Sequence, residues 1–558
     1  MNRNLQVSVL LAIVALVYGN SLGNGFTMDD ELYIFRNPQV TNTSVQNLFQ
    51  PNTASSVFRP VTFATLSANW ALGHEHPIGY HLFNLLLHAG VTLLLFLLLR
   101  ALLGQQPRGD TIAFAASLLF AVHPIHTEAV ASTIGRSELL AAGFLIGAWL
   151  LHVRNRPILS GICFVLALLS KESAIVFLPM AVAGDYASER LKSWVKYLPL
   201  AGITVAYLGV LWKLKGGHLG VTSVSLLDNP LFRLPLLLRI LNAVRIAWKY
   251  AGLLIFPGKL SCDYSFDEIQ LYGDLRHTLP ATAAAMAVVA AWVWAIWQRR
   301  APLIVAGAIY LVGFAVTANI LVPTGTIMGE RLAYLPSAGF CLLLAMLWSL
   351  IEIRKRNAAF VVMAVVLFAF AARTVLRNRD WRDDLSLYSA AVKTVPGSAK
   401  MHAYLGNEYL HRRQFDQARR EFQAALNTYP EFPDAIEWMA LLESYTGNNL
   451  EALRLMENAL GMVDRTNINY DYMAVNLAAM MMQTGHSSDA LNLLDREIAQ
   501  APAYSRAWSN RAVIHYQQGE LTGARSDAET ALRLDSQNSQ AQGVLQRMNP
   551  TQPATIVP

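Results

Sequence analysis

Residues 5–22 read LQVSVLLAIVALVYGNSL, and a few residues later comes the triplet Asp29-Asp30-Glu31. An apolar run of that length is a membrane span. The three carboxylates therefore lie where the chain first leaves the bilayer. Adjoining carboxylates repel one another and gain nothing structurally from adjacency. They are explained if one acts as a base or if together they hold a cation. A solvated loop is the plain alternative, and the motifs downstream in the chain weigh against it.

Of the 558 residues, 54% are hydrophobic and 15% charged, well below the charge content of an ordinary soluble domain. The composition predicts an integral membrane protein. Its net charge of +6 fits basic connections between spans, so no nucleic-acid partner is implied. The three cysteines, Cys163, Cys262 and Cys341, make no disulfide framework. The first apolar run is read as an uncleaved anchor, since no small-residue cleavage site closes it.

Apolar segments fall near 5–22, 80–99, 111–129, 137–152, 157–170, 173–184, 194–212, 235–256, 279–298, 301–322, 333–352 and 357–376. Ser170-Lys171-Glu172 divides two short ones and predicts a broken hairpin. Basic clusters at Arg100/Arg108, Arg154/Arg156, Arg190/Lys192/Lys196, Arg299/Arg300 and Arg354/Lys355/Arg356 share one side only if 235–256 makes no crossing. That segment carries Arg239, Arg245 and Lys249 and reads as interfacial. The count is then about eleven crossings, N-terminus inside and C-terminus outside. Residues 24–78, His123 to Arg136, 213–278 and Pro323 to Pro336 would share the outer face.

Beyond Arg373 the composition changes. Ala418, Ala452, Ala490 and Ala524 are spaced 34, 38 and 34 residues apart. With Leu405-Gly406, Tyr409, Phe422, Ala425 and Pro430 they match the tetratricopeptide pattern, a helix-turn-helix unit. Small residues let the two helices approach, and about four units stack into a short solenoid. The expected fold is all-α: residues 1–376 a polytopic membrane domain, 377–397 a linker, 398–548 the solenoid and 549–558 a disordered tail.

The motifs in order are Phe26-Thr27-Met28-Asp29-Asp30, Asn37-Pro38-Gln39-Val40, Arg59-Pro60, Tyr80-His81-Leu82-Phe83-Asn84 and His88, then His123-Pro124-Ile125-His126-Thr127-Glu128. They continue with Gly135-Arg136-Ser137-Glu138, Ser170-Lys171-Glu172, Leu260-Ser261-Cys262-Asp263-Tyr264 and Glu330-Arg331-Leu332-Ala333-Tyr334. This series resembles the transmembrane and tetratricopeptide-repeat O-mannosyltransferases, within the wider GT-C class of membrane glycosyltransferases. The resemblance implies a sugar, commonly mannose, moved from a polyprenyl-phosphate carrier to a protein hydroxyl. It implies a catalytic aspartate in the first outer loop, carried here onto Asp29, with Asp30 as its neighbour and Tyr33 following.

Physical reasoning adds the other candidates. A hydroxyl attacks more readily when a carboxylate takes its proton, and Asp30 would raise the pKa of the pair. A phosphate leaving group needs cations, and arginine forks suit it best. Arg331, beside Glu330, is the first choice, with Arg136, Arg245 and Lys249 as alternatives. His123, His126 and Glu128 suit a metal, the acceptor or sugar hydroxyls, or simply cap a span. No cofactor is required by the motifs, and a divalent cation stays open. On the solenoid, Asn476 and Asn510 hold one inward position, with Asn407 near it in the first unit. Side-chain amides there would grip the backbone of an acceptor protein. The partners expected are thus a lipid-linked sugar, acceptor proteins and membrane lipid. The rivals are a scaffold whose repeats recruit partners, a lipid-linked sugar transporter, and an enzyme moving another lipid-linked glycan.

Overall fold

The computed structural model describes residues 2–42, 44–49, 57–191, 193–217, 224–274, 276–320, 323–467 and 469–548. The expected disordered tail, 549–558, lies outside them. Every regular element among the described residues is helical, and the chain divides into two compact units, Met1–Ser398 and Ala399–Pro558.

Among the described residues of the first unit, seven helices are long and apolar enough to cross a membrane: Arg3–Gly23, Ile78–Leu103, Arg136–Val153, Val195–Leu214, Leu279–Trp297, Glu330–Arg354 and Arg356–Asp380. An eighth is the pair Gly109–Val122 and Pro124–Ala131, bent by 52° where Pro124 interrupts the helix. This differs from the expected count of about eleven. The other three segments form the shorter helices Pro157–Ser170, Phe177–Ala187 and Ala301–Gly307, the last continued by a π-helical turn at Ala308–Val312. Extended backbone at Lys171 and a 3-10 turn at Glu172–Val176 separate the first two, the break expected at Ser170-Lys171-Glu172. Leu236–Ile255 is helical but is not among the helices apolar enough to span.

Close approach sets the core of this unit. Gly184 lies so near the Trp149 indole that a β-carbon would fall 2.7 Å from it, which lets the buried Trp149 fill the gap between their helices. Leu279–Trp297 is the opposite case. Only 6% of it is buried, as suits a span presenting almost its whole surface to lipid.

The second unit is the expected solenoid. Its helical hairpins are Ala399–His411 with Phe415–Thr428, Pro433–Tyr445 with Asn449–Gly461, Tyr470–Gln483 with Ser487–Gln500 and Ser505–Gln517 with Leu521–Leu534, followed by Ser539–Met548. The four repeat alanines are fully buried. Gly406 is required because a β-carbon there would meet the Phe422 ring at 2.6 Å. The turns inside the later three hairpins pass through Gly447, Gly485 and Gly519 at φ of 88°, 86° and 81°; the first uses Arg413 at φ 57°.

Candidate active site

The acidic triplet is split three ways by the backbone. Met28 sits in the left-handed region at φ 57°, a strained position for a side chain of its size, and its amide donates to Asp384 Oδ1 at 2.8 Å. The chain then enters a π-helical turn, Glu31–Phe35, over an apolar floor that includes Ile34, Phe63, Leu66 and Tyr80. Asp30 points inward and is buried. Glu31 faces outward and pairs with Arg36 at 3.0 Å. Asp29 lies between, with 37% of its side chain exposed.

Two donors hold Asp30. Its carboxylate accepts from the Thr27 amide at 2.8 Å and from the Thr133 hydroxyl. Burial pushes its carboxyl up to about 7 against those two bonds, and the charges of Asp29 and Asp384 add to the rise. Adjacency in the chain groups Asp30 with Asp29 as one catalytic pair. The geometry instead gives Asp30 an inward position from which it ties the first outer loop to the 132–136 turn. An asparagine has a similar shape and pairing capacity, so Asp30→Asn should fold. Asp30→Ala should lower stability by about 1–3 kcal/mol by stranding two buried donors. The folded pKa lies above the ordinary value of 3.8, so Asp30 contributes stability that is full below about 3.8 and lost as pH rises through about 7. Thermal unfolding of Asp30→Asn across that window should lack this loss.

Arg331 is the residue that joins distant motifs. Its guanidinium lies 3.1 Å from Glu128 Oε1 and 3.8 Å from Asp29 Oδ2. Its backbone amide donates to Glu128 Oε2 at 2.8 Å. Glu128 is buried, so both of its oxygens serve to hold Arg331 in place. The 3-10 turn Glu330–Ala333 aims the arginine, and the short helix Thr127–Ala131 aims the glutamate.

The other expected site residues occupy different posts. Arg136 is fully buried. It donates to Asn84 Oδ1 at 3.0 Å and to the Tyr80 carbonyl at 3.2 Å, with its guanidinium over the Phe83 ring at 4.6 Å. Asn84 in turn donates to the Ser132 carbonyl at 2.8 Å, so Arg136 braces the turn that carries Thr133. Glu330 is buried beneath Arg331, accepting from the Ser261 amide at 2.6 Å and the Tyr264 hydroxyl at 2.7 Å. It anchors the 261–264 stretch. Arg245 bonds to the Gln270 carbonyl at 3.0 Å and stacks on Tyr272. Lys249 lies 3.7 Å from Glu268 and over the Tyr264 ring. Both fasten the Leu236–Ile255 helix to the 264–272 stretch, not to Arg331.

His123 and His126 are both completely buried. His123 Nε2 lies 3.0 Å from the Leu254 carbonyl, and His126 Nε2 lies 2.7 Å from the Ser337 hydroxyl within a ring cluster of Phe120, Tyr334 and His88. Among the described residues no three His, Cys, Asp or Glu side chains gather as metal ligands would.

Two ion pairs near this cluster lie outside the set of site residues expected from the sequence. Lys171 pairs with Glu138, both nearly buried, and Arg59 forks onto Glu172 at 2.7 and 3.1 Å. Their signal is present in the sequence as charges interrupting apolar stretches, which membrane segments tolerate only in pairs or at functional sites.

In the solenoid, Asn476 accepts from Arg506 at 3.2 Å and Asn510 donates to the Val475 carbonyl at 3.1 Å; both are largely buried. These bonds link the first helices of adjacent units. Asn407 is partly exposed.

Comparison with known proteins accords with this architecture. Residues 371–438 and 482–539 match the tetratricopeptide repeat family model. A Caenorhabditis elegans relative, "Protein O-mannosyl-transferase F38B6.6", is 30% identical over 77% of this chain and 63% of its own length. The Mus musculus "Protein O-mannosyl-transferase TMTC3" is 27% identical over 96% of this chain and 64% of its own. The family resemblance read from the motifs holds. The chain spans somewhat less than two thirds of the length of these relatives. An Archaeoglobus fulgidus oligosaccharyltransferase structure is 13% identical over 72% of this chain and 60% of that one, with a TM-score of 0.39, too distant a likeness to carry an argument.

Proposed function

We propose that the chain is a membrane glycosyltransferase of GT-C type. It moves a sugar, mannose on the precedent of its relatives' names, from a polyprenyl-phosphate carrier to serine and threonine hydroxyls of proteins. The observation that supports this reading most directly is the approach of Arg331 to Asp29, 3.8 Å apart at a partly exposed site. A base for the acceptor hydroxyl and a cation for the departing phosphate must flank one reacting carbon, and in this reading Asp29 and Arg331 take those roles, their contact opening as the sugar enters between them.

In this scheme Asp29 takes the proton of the attacking hydroxyl. Arg331 meets the carrier phosphate as its bond to the sugar breaks. Glu128 keeps Arg331 from collapsing onto Asp29, since the buried glutamate competes for the same guanidinium. Asp30, Thr133, Asn84 and Arg136 hold the loop that carries the base. The basic connections between spans favour placing this site on the non-cytoplasmic side, and the repeats share that side if the three shorter segments also cross, which restores the odd count of about eleven.

The solenoid is assigned to the acceptor. The partly exposed amide of Asn407 would bind extended protein segments through their backbones, and Asn476 and Asn510, largely buried and bonded between adjacent units, would set the spacing of the units that present it. Mass spectrometry of exported proteins, with and without this chain, tests the whole reading through loss of a hexose. Deleting 398–558 should spare donor binding and lower glycosylation, and Asn476→Ala with Asn510→Ala should do so partly. A hexose pattern indifferent to the presence of the chain would instead leave a scaffold. Unchanged glycosylation of every acceptor without the tail would remove the repeats from substrate choice.

A further inference from the structure

A second site lies away from the acidic cluster. Between the helix Phe177–Ala187, the exposed helix Leu279–Trp297 and the helix Ala301–Gly307 runs an apolar groove of about 460 Å³. Leu178, Val182, Tyr186, Trp292, Ile296 and Ile304 line it. Its floor is built to shape. Trp292 donates to the Ile304 carbonyl at 3.1 Å and lies so close to Gly307 that a β-carbon there would overlap the indole.

One end of the groove is basic and aromatic. Tyr186 donates to the Ile296 carbonyl at 3.2 Å, and Arg299 lies over its ring at 5.8 Å. Arg300 follows, also exposed, and Trp297, two residues before Arg299, is 77% exposed. Among the described residues, the carboxylate paired with Arg299 is Glu189 at 3.9 Å. Both side chains are more than two thirds exposed, so the pair is weak and open to exchange. Exposed tryptophans at the end of an apolar span mark the headgroup level, and arginines there attract lipid phosphate.

This end is remote from Arg331. A β-carbon on Gly313 would touch Pro336, and one on Gly339 would meet Ala306 and Tyr310. The two helices thus run antiparallel, so from Gly313 back through Ala306 to Ile304, and on to Arg300 and Arg299, the chain leads away from the Glu330 end of that span. A carrier whose phosphate reaches Arg331 does not put that phosphate at Arg299.

We propose that this groove holds one acyl chain of an anionic bilayer phospholipid, with its phosphate on Arg299 and Arg300. The apolar walls select a chain, and the two arginines, with the weak Glu189 pair displaced, select a net negative headgroup.

Native mass spectrometry of the full chain in detergent, titrated with phosphatidylglycerol or phosphatidylcholine, tests the assignment. Phosphatidylglycerol should bind roughly 30-fold more tightly, the sum of two arginine attractions of the usual interfacial size. The Arg299→Gln, Arg300→Gln double variant, altered only at exposed positions, should lose that preference. Val182→Trp, which fills the groove, should weaken both lipids. Equal binding of the two lipids by the native chain, or a preference that survives the double variant, would overturn the proposal. Displacement of bound phosphatidylglycerol by equimolar polyprenyl phosphate would overturn it too, by assigning the groove to the carrier.

Discussion

Asp29→Asn should reduce sugar transfer by about 100- to 10,000-fold, the usual cost of removing one general base. The substitution preserves shape. Asp29 is partly exposed, and its ion-pair contact with Arg331 is the longer of the two that Arg331 makes. Expression, thermal unfolding and donor affinity should therefore stay close to those of the native chain. The loss should fall on turnover with the donor KM little changed, because a base acts on the acceptor proton in the transition state and not on the bound carrier. Asp30→Asn is the matched control, one residue away and of the same chemistry. It should retain most of the activity that Asp29→Asn loses. Measured turnover of Asp29→Asn near the native rate, in membranes supplied with donor, would withdraw the assignment. Equal losses in both variants would mean that the pair acts together.

Arg331→Ala should show the second large effect, and of a different kind. It removes the cation expected at the leaving group, so donor KM should rise and turnover fall together. It also strands Glu128, which would keep only the amide bond from residue 331. Removing one partner of a fully buried ion pair costs about 3–5 kcal/mol. Arg331 keeps 29% of its side chain exposed, so the cost should lie below that range. Glu128→Gln placed in the same chain removes the stranded charge. It should restore most of the stability and none of the transfer. Recovery of transfer along with stability would show that Arg331 serves the fold alone. Arg331→Lys keeps charge without the planar fork and should fall between native and alanine.

Much of this architecture is legible along the chain. Apolar length marks spans, and the repeat of Ala418, Ala452, Ala490 and Ala524 marks the solenoid. Both signals are local or periodic, and each survives without knowing what packs against what. The span count is less secure. Length alone does not say that 157–170 and 177–187 are short helices meeting at extended Lys171, although the charges there tell of a break.

Pairing is a different matter. Glu138 has two basic candidates, Arg136 and Lys171, and it meets Lys171. Arg136 reads as a phosphate ligand from its type and place, yet its guanidinium is turned inward onto Asn84 and Tyr80. His123 and His126 read as an outer motif and are buried among rings.

Composition and period, then, were enough to establish a helical membrane domain followed by a tetratricopeptide solenoid, with carboxylates at the first exit from the bilayer. Tertiary structure alone decided which carboxylate stays partly exposed and which cation faces it. Asp29 and Asp30 are adjacent in the chain, and a single backbone step sends one toward Arg331 and the other toward Thr133. Glu128 and Arg331 are 203 residues apart, and no local pattern encodes such a contact. The physical reason is that helix formation and burial depend on neighbours within a few turns. The desolvation and pairing of a charge depend on whatever the packed helices bring beside it.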